Sequence, residues 1–125
     1  MNLKRYIDAA VRREVRRYVI DSPQQGLINI IDKVVISLNN ARNDDISKNE
    51  LKSINRASKF FQKSKELLNR NGMSSFRKTY ANIDMGIECI QDGEPYNSDS
   101  QNFKNASSNA FWLLQAIKSM SNRYR

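Results

Sequence analysis

The residues of this chain whose types could do chemistry are few: one cysteine, Cys89, two acids a helical turn apart, Asp84 and Glu88, and a run of acids at Asp92, Glu94 and Asp99. None of the 125 residues is a histidine, so the usual general base, the Ser/His and Cys/His nucleophile pairs and most metal sites have no donor. One thiol cannot close an internal disulfide, and without imidazole it makes no zinc set. Asp84 and Glu88 lack the paired Glu-x-x-His motifs that di-metal bundle sites require. Asp92, Glu94 and Asp99 lack the twelve-residue calcium pattern and its terminal Glu. With four glycines and no Gly-rich loop before a helix, there is no phosphate cradle. The expectation is a non-enzyme with no catalytic residues, no metal ligands, no cofactor and no small-molecule substrate.

What remains is charge and apolar pattern. The formal net charge is +8, which favours acidic partners such as nucleic acid, anionic lipid or an acidic protein. Arg12, Arg13, Arg16 and Arg17, with Lys4 and Arg5, form a basic patch that on a helix becomes a ridge able to meet phosphates or carboxylates. The solvated face of an ordinary amphipathic helix has the same composition.

The elements that carry these residues are helical in their spacing. Apolar residues at 39% and charged residues at 27% match a folded domain rather than a disordered chain, and the length suits one domain, residues 1–125. No run approaches the roughly 20 apolar residues of a membrane span. Leu3, Tyr6, Ile7, Ala10, Val11, Val15 and Tyr18 form one stripe of an N-terminal helix over about 3–19. Ser22-Pro23 starts a helix over 22–42, because proline fits the first helical position and serine caps free amides. Ser47 and Glu50 make a reciprocal capping arrangement that opens a helix over 47–69, closed by Gly72. Phe76, Tyr80, Ile83, Ile87 and Ile90 set a helix over 75–91, and the turn-forming run Asp92 to Asp99 precedes a last helix over 100–122. On that last helix Phe111, Trp112 and Leu114 widen the apolar face beyond what a core alone needs. Short connections between long helices predict an all-α fold, an antiparallel up-and-down four-helix bundle with an additional N-terminal helix.

The segment Ser22 to Arg42 reads SPQQGLINIIDKVVISLNNAR, and without a gap it resembles the signature helix of the FliS family of flagellin-specific export chaperones. Ser22, Pro23, Asp32, Leu38 and Ala41 match that helix in kind, and Leu27, Ile30, Ile31, Val34 and Val35 supply hydrophobes where the family has them. The resemblance implies a cytoplasmic chaperone that holds the helical C-terminal segment of flagellin, or a similar export substrate, in a hydrophobic groove and prevents premature polymerisation. The export apparatus would be a further partner. It also implies partner contacts from Tyr6, Leu27, Ile31, Val34, Val35 and Leu38. A core-facing stripe and a groove-facing stripe share one spacing, so periodicity does not separate them.

Two other classes fit the composition. One is a basic helical nucleic-acid-associated module using the arginine patch, whose affinity would fall steeply with salt. The other is a small immunity or inhibitor protein, which suits the size and rests on no particular residue.

Overall fold

The computed structural model describes residues 23–124 of the chain. Every long element is an α-helix, and no strand occurs among the described residues. We label the helices α1 (Pro23–Ala41), α2 (Lys48–Asn71), α3 (Phe76–Asp92) and α4 (Gln101–Tyr124). A short 3-10 turn, Gly72–Ser75, joins α2 to α3, and a second, Pro95–Asn97, lies in the loop before α4. The expected N-terminal helix over 3–19, with Tyr6 and the patch Arg12, Arg13, Arg16 and Arg17, lies outside the described residues.

Local chemistry sets each boundary. Pro23 opens α1, where its fixed φ suits a helix and its missing N–H removes one free donor. The capping box of α2 is complete: the Ser47 hydroxyl accepts from the Glu50 amide at 3.1 Å, and the Ser47 amide donates to the Glu50 carboxylate at 3.3 Å. At the other end of α2, Gly72 takes φ +59° and ψ −146°, a region that side chains rarely enter. Its amide donates to the Leu68 carbonyl, which also accepts from Gln24 Nε2 at 2.7 Å, so α1 helps close α2. For α4 the cap is Ser100, whose hydroxyl accepts from the Phe103 amide at 3.0 Å.

Packing follows the apolar stripes. Helix α1 packs on α2 and α4, and α3 packs on α2 and α4, so each helix has two principal neighbours. The largest fully buried side chains are Phe61 and Phe103, surrounded by aliphatic residues from all four helices. Gly86 lets α3 approach α2 closely, since a Cβ there would stand 2.8 Å from Phe61 Cε2. The seam between α3 and α4 is the least closely packed of the four.

One serine pair ties the two loop regions together. The Ser98 hydroxyl donates to Glu50 Oε2, and the Ser100 hydroxyl donates to Asp44 Oδ2 at 2.6 Å. Asn102 Nδ2 adds a second donor to Asp44 at 3.1 Å. Ser98 and Ser100 are both buried, and the Ser100 amide donates to the Ser98 hydroxyl at 3.0 Å. The turn-forming run Asp92 to Asp99 keeps its acids exposed, but Gly93, Pro95 and Ser98 are buried. The clasp is the reason: it draws the loop down onto the start of α2.

That clasp holds both carboxylates below their ordinary range. The Ser98 hydroxyl, more than the Ser47 groups, lowers Glu50, while Ser100 and then Asn102 lower Asp44. A carboxylate whose folded pKa is depressed stabilises the fold fully above its unfolded value, about 3.9 for Asp and 4.3 for Glu. The contribution is lost as pH falls below those values through the folded pKa. We expect the acid limb of thermal stability, measured between about pH 5 and pH 2.5, to flatten in the double variant Asp44→Asn, Glu50→Gln. An unchanged limb would mean that other carboxylates drive acid unfolding. Both groups are solvent-accessible, so added salt should shrink the effect.

Candidate functional site

The residues expected from sequence to meet a partner are placed mostly inside. Leu27, Ile31, Val34 and Leu38 have no exposed surface and belong to the core. Each sits at the centre of the α1 stripe, where α2 and α4 close over it, so in this packing no partner reaches them. Val35 alone of the five described residues keeps partial exposure, packed against the core from its edge.

The exposed apolar surface collects elsewhere, at the open seam between α3 and α4. A half-open groove of about 620 Å³ lies there. The C-terminal half of α3 contributes Ile87 and Ile90 to it, the loop contributes Pro95 and Tyr96, and α4 contributes Phe111, Trp112 and Leu114. These positions follow from helix geometry. Ile87 and Leu114 sit one step round from the core residues Ile83, Ile90, Ala110 and Leu113, so they flank the core and face the seam. Phe111 lies one step further out and is 52% exposed.

Tyr96 is positioned by backbone rather than by period. Glu94, immediately before Pro95, adopts a left-handed conformation with φ +53°, and the turn that follows lifts Tyr96 to 84% exposure at the end of the groove. The Phe111 and Trp112 rings meet edge to face, 5.9 Å apart at 70°, which stiffens the other wall. Polar groups are sparse: Gln91, Ser107, Ser108 and the exposed Lys104. Such a surface can bury apolar side chains of another molecule, at about 25 cal/mol for each Å² removed from water.

The candidate chemistry elsewhere is muted. Cys89 is buried, and burial pushes its thiol above the ordinary range, with only partial opposition from Arg56. Such a thiol is a poor nucleophile near neutral pH. Asp84 and Glu88 are exposed side chains on α3. No group of three potential metal ligands occurs among the described residues.

Of the groove residues, Phe111, Trp112 and Leu114 stand out in the sequence as surplus to the α4 core stripe. Ile87 does not, because it falls inside a regular core period. Tyr96 carries no periodic signal at all, being a loop residue whose exposure depends on the conformation of Glu94. No family model, no curated protein and no solved structure matches this chain.

Proposed function

We propose that this chain is a non-catalytic binding module that takes an apolar, helical segment of another protein into the α3–α4 groove. In its finer form it is a cytoplasmic export chaperone that holds the C-terminal helix of flagellin, or a similar export substrate, and keeps it from polymerising early. The single observation that carries the reading is the groove itself, with Phe111 and Tyr96 exposed and Trp112 half-buried around one apolar seam.

A helix-in-groove mode needs a long apolar trough with anchors for residues at helical spacing, and a seam between two helices provides that geometry. The architecture that suits it is an antiparallel up-and-down four-helix bundle flanked by an N-terminal helix. The two-neighbour packing of α1 to α4 supports the bundle, and the apolar stripe from Leu3 to Tyr18 supports the flanking helix. The absence of any helix long and apolar enough to cross a membrane, among the described residues, leaves a spanning role without support.

The test is calorimetric titration of the full chain with a flagellin C-terminal peptide. The expected result is a one-to-one complex with a negative heat-capacity change, the mark of apolar burial, and an affinity nearly independent of salt. No heat and no complex at about 100 µM peptide, a concentration that detects a binding energy of roughly 5 kcal/mol, would overturn the flagellin assignment.

A further inference from the structure

From Lys48 to Lys63 helix α2 turns toward solvent a stripe of five cations, and the acid that follows on the same face, Glu66, is paired with Arg70. Lys48, Lys52, Arg56, Lys59 and Lys63 are exposed and follow one another at steps of four, four, three and four, the spacing of a single helical stripe. At 1.5 Å per residue the stripe is about 22 Å long. Its partners are accounted for among the described residues. Glu66 is taken by Arg70 at 2.7 Å, Lys65 turns aside to Asp32 at 2.7 Å, and Glu50 is engaged by Ser47 and Ser98. The acids of α3, Asp84, Glu88 and Asp92, are exposed as well, and none forms an ion pair with the stripe.

Folding gives no reason for this pattern. An outer helix face needs polar residues, and the arrangement that supports a helix is one of opposite charges at i,i+4. Here Lys48/Lys52, Lys52/Arg56 and Lys59/Lys63 are like charges at that spacing, which work against the helix. A local rule broken on a surface is where a binding role is to be sought. We propose that this outer face of α2 is a docking ridge for duplex nucleic acid, held through backbone phosphates without regard to base sequence.

The composition around the ridge selects that occupant. A lipid surface would require several large apolar side chains to insert beside the cations, but this face carries one exposed large hydrophobe, Leu51 at 39%, and the other residues interleaved along it are Asn49, Asn55 and Gln62. A protein partner would require a cluster of aromatic or aliphatic anchors, and the ridge offers Leu51 alone. Amides and cations together are the groups that contact phosphate oxygens. Arg42, held by Asn39 and Asn55 at 2.9 Å each, extends the positive surface toward α1. The groove lies on a different seam, so the two sites are independent.

Fluorescence anisotropy of a generic 30-base-pair DNA duplex with the full chain, across a salt series, tests the ridge. Each engaged phosphate contributes about −0.9 to the slope of log K against log salt, so five cations give a slope of about −4 to −5. The triple variant Lys52→Gln, Arg56→Gln, Lys59→Gln should weaken binding at low salt by at least tenfold and lower the slope by between about two and three. A parallel variant neutralising Arg12, Arg13, Arg16 and Arg17 separates the N-terminal patch from the ridge. Melting temperature monitors the fold, and should hold or rise in the triple variant as like-charge repulsion is relieved. If the triple variant does not fold, the pair Lys48→Gln, Lys63→Gln takes its place, with a slope lowered by about two. Absence of duplex binding at low salt, binding lost only with the N-terminal arginines, or tighter binding to phosphatidylserine vesicles than to duplex would each overturn the proposal.

Discussion

Replacing Phe61 by alanine lowers the unfolding free energy by about 3–5 kcal/mol, the range for deleting a buried aromatic ring. Phe61 has no exposed surface and fills the contact between α2 and α3. A small domain is stable by only about 5–15 kcal/mol, so this one substitution removes a large share of the total. The complementary change is more informative because its sign depends on Phe61. Glycine in the middle of a helix is less favourable than alanine by about 1 kcal/mol, so Gly86→Ala would stabilise α3 if nothing stood against it. A methyl group there would meet Phe61 Cε2 at 2.8 Å and Cζ at 2.9 Å, too close for either to stay in place.

Because Phe61 is packed on all sides, relief requires the helices to part, and overpacking of this kind costs about 1–3 kcal/mol. Gly86→Ala is therefore expected to destabilise the native chain. In a Phe61→Leu background, where the ring edge is gone, the same substitution should stabilise by up to about 1 kcal/mol. Urea denaturation of the four proteins closes the cycle. Equal effects of Gly86→Ala in both backgrounds would mean that α2 and α3 do not meet at this point.

That contact illustrates what the sequence conveys and what it withholds. Gly86 sits inside a run read simply as helix, and nothing local says which side chain lies across from it. The helix boundaries were more accessible, because Pro23, the Ser47/Glu50 capping pair and Gly72 act within a few residues of the end they define. The Ser98/Ser100 clasp was not, since its acceptors Glu50 and Asp44 lie some fifty residues away along the chain.

The same distinction governs the candidate site. The stripe on α1 has the period of an apolar face, and periodicity reports only that a face must be covered, not by what. The covering elements are α2 and α4, which leave Leu27, Ile31, Val34 and Leu38 no surface. On α4 the apolar arc is wider than its neighbours can cover, and the excess at Phe111, Trp112 and Leu114 was legible as excess. The contribution of Tyr96 depends on one residue, Glu94, adopting a positive φ, which no pattern in glycine or proline specifies on its own.

Phe111→Glu is expected to weaken binding of an apolar helical partner by at least thirtyfold, equivalent to roughly 2 kcal/mol, the threshold that marks an anchor residue. The ring is 52% exposed in the free chain and stands against Trp112 at the groove wall. A partner that covers it would with this variant have to strip water from a carboxylate, while Lys104, the cation lining the groove, lies about two helical turns away along α4. Stability should change little, by about 0.5 kcal/mol or less, because the side chain is half in solvent and glutamate is a good helix former.

Two further variants locate the site. Ile36→Glu alters another exposed hydrophobe, 58% exposed on α1 and outside the groove lining, and should leave affinity unchanged. Val35→Glu probes the one expected α1 contact that retains surface, and if α1 carried the partner it would abolish binding where Phe111→Glu did not. Titration of the three variants against the same peptide decides between the faces. A Phe111→Glu protein with native affinity would remove the α3–α4 groove as the docking site, whatever the partner, because Phe111 is the exposed ring of the α4 wall.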